Sequence, residues 1–183
     1  MSHWHKETLK LKKNHTWKAK PGYRIFVASK GAARFCFPQL WIMEPDSDSI
    51  KFYDGKPPDD NCRLAFSYIV LPPIDWSGLP LSQLIDTAVE GDERNLERAG
   101  DVVRVPREDI ELVWAEFRFI DHVEEREAFT RLSIGRGVVI QTLITLDFWP
   151  EDRERLNPVW DEVMQSLELE KYVEDPTSGD VIN

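Results

Sequence analysis

Cysteine is scarce: the 183 residues hold two, Cys36 and Cys62. Two thiols make no disulfide framework, and each sits in a strand-like setting, Phe35-Cys36-Phe37 and Cys62-Arg63-Leu64-Ala65-Phe66. Both are therefore expected to be small buried hydrophobes. Long apolar runs are missing too. No stretch approaches ~18 consecutive apolar residues, so no transmembrane helix and no membrane role are expected. The opening Met1-Ser2-His3-Trp4-His5-Lys6 offers neither an apolar run nor a small-residue cleavage site. A secretory signal is thus not expected, the cytoplasm is the expected setting, and the sequon Asn14-His15-Thr16 carries no meaning there. Basic charge is in deficit, with 23 Lys and Arg against 33 Asp and Glu, a net charge of −10. That balance argues against a broad nucleic-acid face, which needs clustered cations.

The spacings of familiar catalytic centres are absent as well. There is no Gly-x-Ser-x-Gly, and no His adjoins a Cys in sequence. His3 and His5 form a His-x-His pair, but a zinc site needs more ligands at defined spacing. Asp46-Ser47-Asp48-Ser49 lacks the glycine and closing glutamate of a calcium loop. Gly135-Arg136-Gly137 joins two strands and reads as a hairpin turn, not a dinucleotide loop. His122, in Ile120-Asp121-His122-Val123-Glu124, reads as an exposed turn histidine; the sharper alternative is a base paired with Asp121 or Glu124. No metal and no cofactor are expected.

What is present is a globular composition. Hydrophobic residues make up 42% of the chain, enough for one domain with a real core. The charge is unevenly spread. Lys6, Lys10, Lys12, Lys13, Lys18 and Lys20 against Glu7 give residues 1–20 a net +5, leaving −15 on the remainder. This basic arm is expected to be an exposed or self-docked segment; Thr8-Leu9-Lys10-Leu11-Lys12 alternates like an edge strand. Residues 22–37 read as a hairpin about Lys30-Gly31, with a short strand at 41–43 and a loop-rich stretch over 46–60 that encloses one apolar piece, 50–53. Residues 64–71 are a near-continuous apolar run, as if covered on both faces. Residues 80–90 carry Leu81, Leu84, Ile85, Ala88 and Val89 at helical spacing. Residues 91–100 read as a loop and 102–105 as a short strand. Three close strands, 110–120, 126–134 and 138–148, make an antiparallel meander. A second helical segment begins near Pro150, with its body near 158–168 and Asn157-Pro158 reading as a cap and first helical residue. The division expected is an arm or edge strand over 1–20, one domain over 21–169 and a frayed tail over 170–183.

This element order resembles the PsbP-like superfamily, whose members include PsbP, DcrB-type proteins and a small Ran-GTPase-binding protein. Phe35-Cys36-Phe37-Pro38-Gln39-Leu40-Trp41 carries the likeness, and so does the strand 138–148 followed by a helix with Trp160, Val163 and Ser166-Leu167. It covers roughly residues 33–169. The resemblance implies an α+β fold, a central mostly antiparallel sheet with helices packed on it as an α/β/α sandwich. It also implies a binding or assembly role, and it offers no catalytic motif to carry across.

Two surfaces emerge as candidates. In the strand 110–120, Leu112, Trp114, Glu116, Arg118 and Ile120 share one face. If the polar faces of the meander coincide, Trp114, Glu116, Arg118, Arg131, Gln141 and Thr145 line a patch suited to an anionic or amide-bearing ligand. The plainer reading is a set of cross-strand ion pairs. The second surface is for a protein partner, at the loop 72–80 with Trp76 or at the sheet edge near Lys10 and Lys12. The expected function is a cytoplasmic binding or accessory protein without catalysis. The alternative is a small-ligand-binding or hydrolytic domain, and a homo-oligomer is a third possibility.

Overall fold

The computed structural model describes residues 4–182. A hairpin, β1 (Tyr23–Ala28) and β2 (Ala33–Pro38), opens the fold, followed by β3 (Ile42–Pro45), β4 (Ile50–Tyr53) and the long β5 (Cys62–Val70). Helix α1 (Leu81–Glu90) leads to two-residue strands β6 (Glu97–Arg98) and β7 (Val103–Arg104). The meander is β8 (Glu111–Asp121), β9 (Arg126–Arg136) and β10 (Ile140–Phe148). Helix α2 (Arg153–Ser166) and β11 (Glu168–Leu169) complete it. The strands form two antiparallel sheets, one ordered β1-β2-β11 and one ordered β3-β4-β5-β10-β9-β8-β6, with β7 also on β8.

The alternation of each long strand sets the layers. Ile140, Thr142, Ile144, Leu146 and Phe148 of β10 point inward and are buried. They meet the small sheet and α2 in a core that includes Phe26, Phe35, Phe37, Phe52, Phe66, Leu156, Trp160 and Val163. Its aromatic centre is tight: Phe26, Phe35 and Phe37 stand 4.7–5.6 Å from Phe52 or Phe66 by ring centroids. Each such ring, removed from water, contributes about 1.5–3 kcal/mol. On the outer face, α1 lays Leu81 and Ile85 on Val113, Ala115, Phe117, Leu132 and Ile134. That gives the α/β/α order expected. Cys36 and Cys62 are buried.

The structure corrects five expectations. Thr8–Lys12 is not a strand. The arm is irregular and docks on the C-terminal tail, with the Lys12 amide donating to the Thr177 carbonyl (3.0 Å) and the Thr16 amide to Ser178 (2.7 Å). The tail beyond 169 does not fray over its described length: Val173 is buried and bridges Val181, and the Glu170 amide donates to Ala32. Gly31, at φ +117°, allows this crossing, since a Cβ there would stand 2.1 Å from the Lys171 carbonyl oxygen. The loop 91–100 contains β6. Helix α2 starts at Arg153, so Pro158 is interior and Asn157 is no cap; buried Leu156 holds the turn before the proline. Finally, β5 is not covered at its end, where Ile69 and Val70 are 56% and 68% exposed.

Candidate functional site

The inner face of the meander gathers four of the six expected ligand-binding residues. Glu116 lies opposite Arg131 in the β8–β9 register. The Arg131 Nε donates to the Glu116 carboxylate at 2.9 Å, and its Nη2 to the Asn157 Oδ1 at 2.5 Å. Arg153, from the first turn of α2, donates to the other Glu116 oxygen. The Arg131 guanidinium sits 5.3 Å from the Trp114 ring centroid and 5.2 Å from that of Phe148. Trp114 in turn packs edge-on against Trp160 at 5.8 Å. Arg118 lies further out, paired with Glu97 and Glu127. Only 6% of the Arg131 side chain and 12% of the Glu116 side chain reach solvent. These groups satisfy one another and fasten α2 to the sheet.

Gln141 and Thr145 do not belong to this face. Arg131 is opposite Leu146 of β10, so the inner face there is Ile144, Leu146 and Phe148. Gln141 and Thr145 point outward with Asp147, which pairs with Arg63 (2.7 Å) and Arg94 (3.0 Å). Among the described residues His122 makes no hydrogen bond or ion pair with Asp121 or Glu124, and the Asp121 Oδ1 accepts the Val123 and Glu124 amides at 3.0 and 2.8 Å. Of the pair His3 and His5, His3 lies outside the described residues. Among the described residues no three His, Cys, Asp or Glu side chains cluster as metal ligands.

Trp76 marks a different place. The loop after β5 folds on itself, with the Trp76 Nε1 donating to the Pro72 carbonyl (3.0 Å) and the Ser77 amide to Asp75 (2.9 Å). Together with residues 107–111 and 136–138 it walls a cleft of about 450 Å³ at one end of the long sheet. Ile74 (60% exposed) and Val138 (77% exposed) face this cleft. Scattered exposed aliphatics are ordinary, but a cluster at a concavity is the mark of a contact surface.

The walls are held firmly. Arg107 donates to Asp109 through Nε (2.9 Å) and Nη2 (2.7 Å), and through Nη1 to the Met164 and Gln165 carbonyls at the end of α2. Arg136 donates to Glu111 at 2.6 Å. The β9–β10 turn is clamped by one carboxylate: Glu170 accepts the amides of Val138 (3.1 Å), Val139 (2.5 Å) and Ile140 (2.8 Å). Glu170 adopts φ +60°, a strained value for a side-chain-bearing residue. Both cations of the cleft are thus ion-paired, with the buried Arg136 Nη1 left without a hydrogen-bond partner, whereas Asp75 and Glu108 have no ion-pair partner among the described residues. Hydrogen bonds from the Ser77 backbone and hydroxyl hold the Asp75 carboxyl below its usual range, so the rim is anionic at neutral pH. Lys12 is committed to Asp175 at 2.5 Å, while Lys10 is exposed on the arm. Nothing in the sequence alone singled out Glu170, Glu108 or Val138 for this end; only the folded loops bring them together.

Layers, strand order and helix placement make an α+β sandwich with a PsbP-like fold. A solution structure of cyanobacterial PsbP (CyanoP) from Synechocystis sp. PCC 6803 superposes with a TM-score of 0.55 at 17% identity, covering 82% of this chain and 94% of that one. The Saccharomyces cerevisiae Ran-binding protein Mog1p does so with a TM-score of 0.50 at 8% identity, over 80% and 95%. A Bacteroides thetaiotaomicron VPI-5482 crystal structure gives 0.58 at 13% identity over 82% of this chain, which spans about half of that protein (49%). At such identities the likeness shows the fold alone. The chain belongs to the Alr1449 family, whose pattern matches residues 24–173. It is 49% identical over 177 residues to the uncharacterized protein alr1449 of Nostoc sp. (strain PCC 7120 / SAG 25.82 / UTEX 2576), covering 96% of this chain and 92% of that protein.

Proposed function

We propose that this chain is a non-enzymatic cytoplasmic binding or accessory protein that docks a protein partner at the Trp76 end of its long sheet. The observation that carries the reading is the exposed pair Ile74 and Val138 at a cleft rimmed by Asp75 and Glu108, which have no ion-pair partner among the described residues. Apolar contact supplies affinity there, and the uncompensated acid selects a segment bearing Lys or Arg. The −15 carried by residues 21–183 extends that preference to the approach of the partner. The partners named for neighbours of the same fold belong to those proteins.

The test is capture from lysate of the source cells with the wild-type chain, Ile74→Asp/Val138→Asp, and Glu108→Lys. A partner retained by wild type, lost by the double variant and weakened by Glu108→Lys with a reduced salt dependence supports the proposal. Equal retention by all three, or no reproducible partner, overturns it. The alternative ligand site on Glu116, Arg118 and Arg131 has no comparable support, because those groups are already paired with one another and with Arg153, Glu97 and Glu127.

A further inference from the structure

A second concavity, of about 610 Å³, lies where the arm and the tail meet β2 and the end of α2. Its size is that of a small-molecule site. Trp17 forms one wall, fixed by its Nε1 donating to the Pro176 carbonyl at 2.7 Å and by close packing on Gly179. The Arg34 guanidinium lies over the Trp17 ring at 4.8 Å. Arg34 donates through Nε to Glu168 at 2.5 Å, and its two Nη groups have no partner among the described residues. Only 14% of the side chain is exposed, and its contacts with Glu168 and the Trp17 ring hold the guanidinium in place. Lys18 also lines the cavity and has no ion-pair partner among the described residues. Ile25, Phe35 and Val181 supply apolar lining.

Lys18, Arg34 and Arg107 line this cavity together with Glu168 and Asp180, so cations are locally matched to acid in a protein of net charge −10. Arg107 is fully engaged with Asp109 and the helix-end carbonyls, which leaves Arg34 and Lys18 as the free donors. No reaction is built in. Ser166 is held at both ends, its hydroxyl donating to the Glu162 carbonyl at 2.6 Å and accepting the Cys36 amide at 2.8 Å.

The geometry points to a binding site for a small organic carboxylate with an apolar or aromatic body, held through Arg34 and Lys18 beside Trp17. A planar carboxylate matches the paired donors of a guanidinium held over an indole ring. The body rests on the apolar lining. Because the arm and tail supply opposite walls, ligand also tightens their contact.

The test is an amide chemical-shift titration of the full chain with three probes: sodium benzoate, sodium acetate and benzylamine. Benzoate is expected to shift residues 16–18, 34–36, 165–168 and 179–181 saturably, with a millimolar Kd appropriate to a fragment. Acetate should bind about tenfold more weakly, and benzylamine should leave those amides unmoved. Arg34→Met should weaken benzoate about tenfold or more, since a charge-assisted pair of hydrogen bonds is lost. Lys18→Met, at an exposed position where folding is not at stake, should weaken it about two- to fivefold. Absence of saturable shifts, benzylamine binding equal to benzoate, or unchanged affinity in Lys18→Met overturns the site. These outcomes are independent of the partner cleft, whose residues the titration should not perturb.

Discussion

Replacing Arg131 by Met tests whether the inner-face network is architecture or a vacant ligand site. The change removes the hydrogen bond to Glu116 at 2.9 Å and that to Asn157 at 2.5 Å, while the Met side chain keeps the apolar stem between Trp114 and Phe148. Breaking a buried pair by deleting one partner costs about 3–5 kcal/mol when the other charge is orphaned. Glu116 is not orphaned, because Arg153 still reaches its second oxygen. The expected loss is therefore lower, about 2–3 kcal/mol. Glu116→Gln is expected to be worse, about 3–5 kcal/mol, since it strips the counter-charge from an Arg131 side chain only 6% exposed. The double change Glu116→Leu/Arg131→Met removes both charges together and should recover most of the loss, because Arg153 is 35% exposed and can turn to water. Urea unfolding followed by circular dichroism reads all three, with the slope checked for constancy. Losses below about 1 kcal/mol for both single variants would refute the reasoning. They would mean that the pair is solvated and its guanidinium is free for a ligand.

Two further perturbations probe the tail. Glu170→Gln should cost about 2–3 kcal/mol and speed hydrogen exchange at Val138, Val139 and Ile140, because three backbone amides lose a charged acceptor; unchanged exchange at those amides would show that the clamp is absent in solution. The hydrogen bond from Lys12, then those from Thr177, hold the Asp175 carboxyl down to about 2. A depressed carboxylate stabilises the docked arm above its unfolded value of ~3.9 and loses that contribution as pH falls through the folded value. Exchange at the Lys12 and Thr16 amides should consequently rise between about pH 4 and pH 2, and Asp175→Asn should remove that pH dependence. Release of the arm already near pH 6 would contradict the assignment.

The local pattern carried the strands and α1 well, and it failed wherever parity or distance decided. In β8 and β9 the alternation placed Glu116, Arg118 and Arg131 on one face, and the register sets Glu116 directly opposite Arg131. The next turn was unreadable at the level of one residue. Arg136 pairs with Gln141, so the outward set of β10 begins there, and a slip of one would have turned Gln141 and Thr145 inward. The arm shows the same limit. Its Leu-Lys alternation looks like an edge strand, but the partner for its amides is a tail some 160 residues away. Asn157-Pro158 is a sound local cap signal that tertiary packing overrides, since Leu156 is fully buried one residue earlier and Asn157 is needed by Arg131. Trp76 was legible as a loop aromatic; the company it keeps was not.

The distribution of unpaired groups then decides where a partner or ligand can act. The inner face of the long sheet is filled by the small sheet, α2 and a self-satisfied ion network. The outer face is covered by α1 over β8 and β9, and its polar remainder near Asp147 is paired with Arg63 and Arg94. Binding requires groups whose interactions are incomplete before the ligand arrives, because only those gain from it. At the Trp76 end these are exposed aliphatics and two free carboxylates; at the arm–tail cavity they are the Arg34 Nη donors and Lys18. The two places stand on different loops and offer different groups, carboxylates at the Trp76 end and guanidinium and ammonium donors at the arm–tail cavity. Their only shared residue is Arg107, whose bonds to the end of α2 join the two walls. The Glu170 clamp likewise anchors the tail to the turn that forms the cleft.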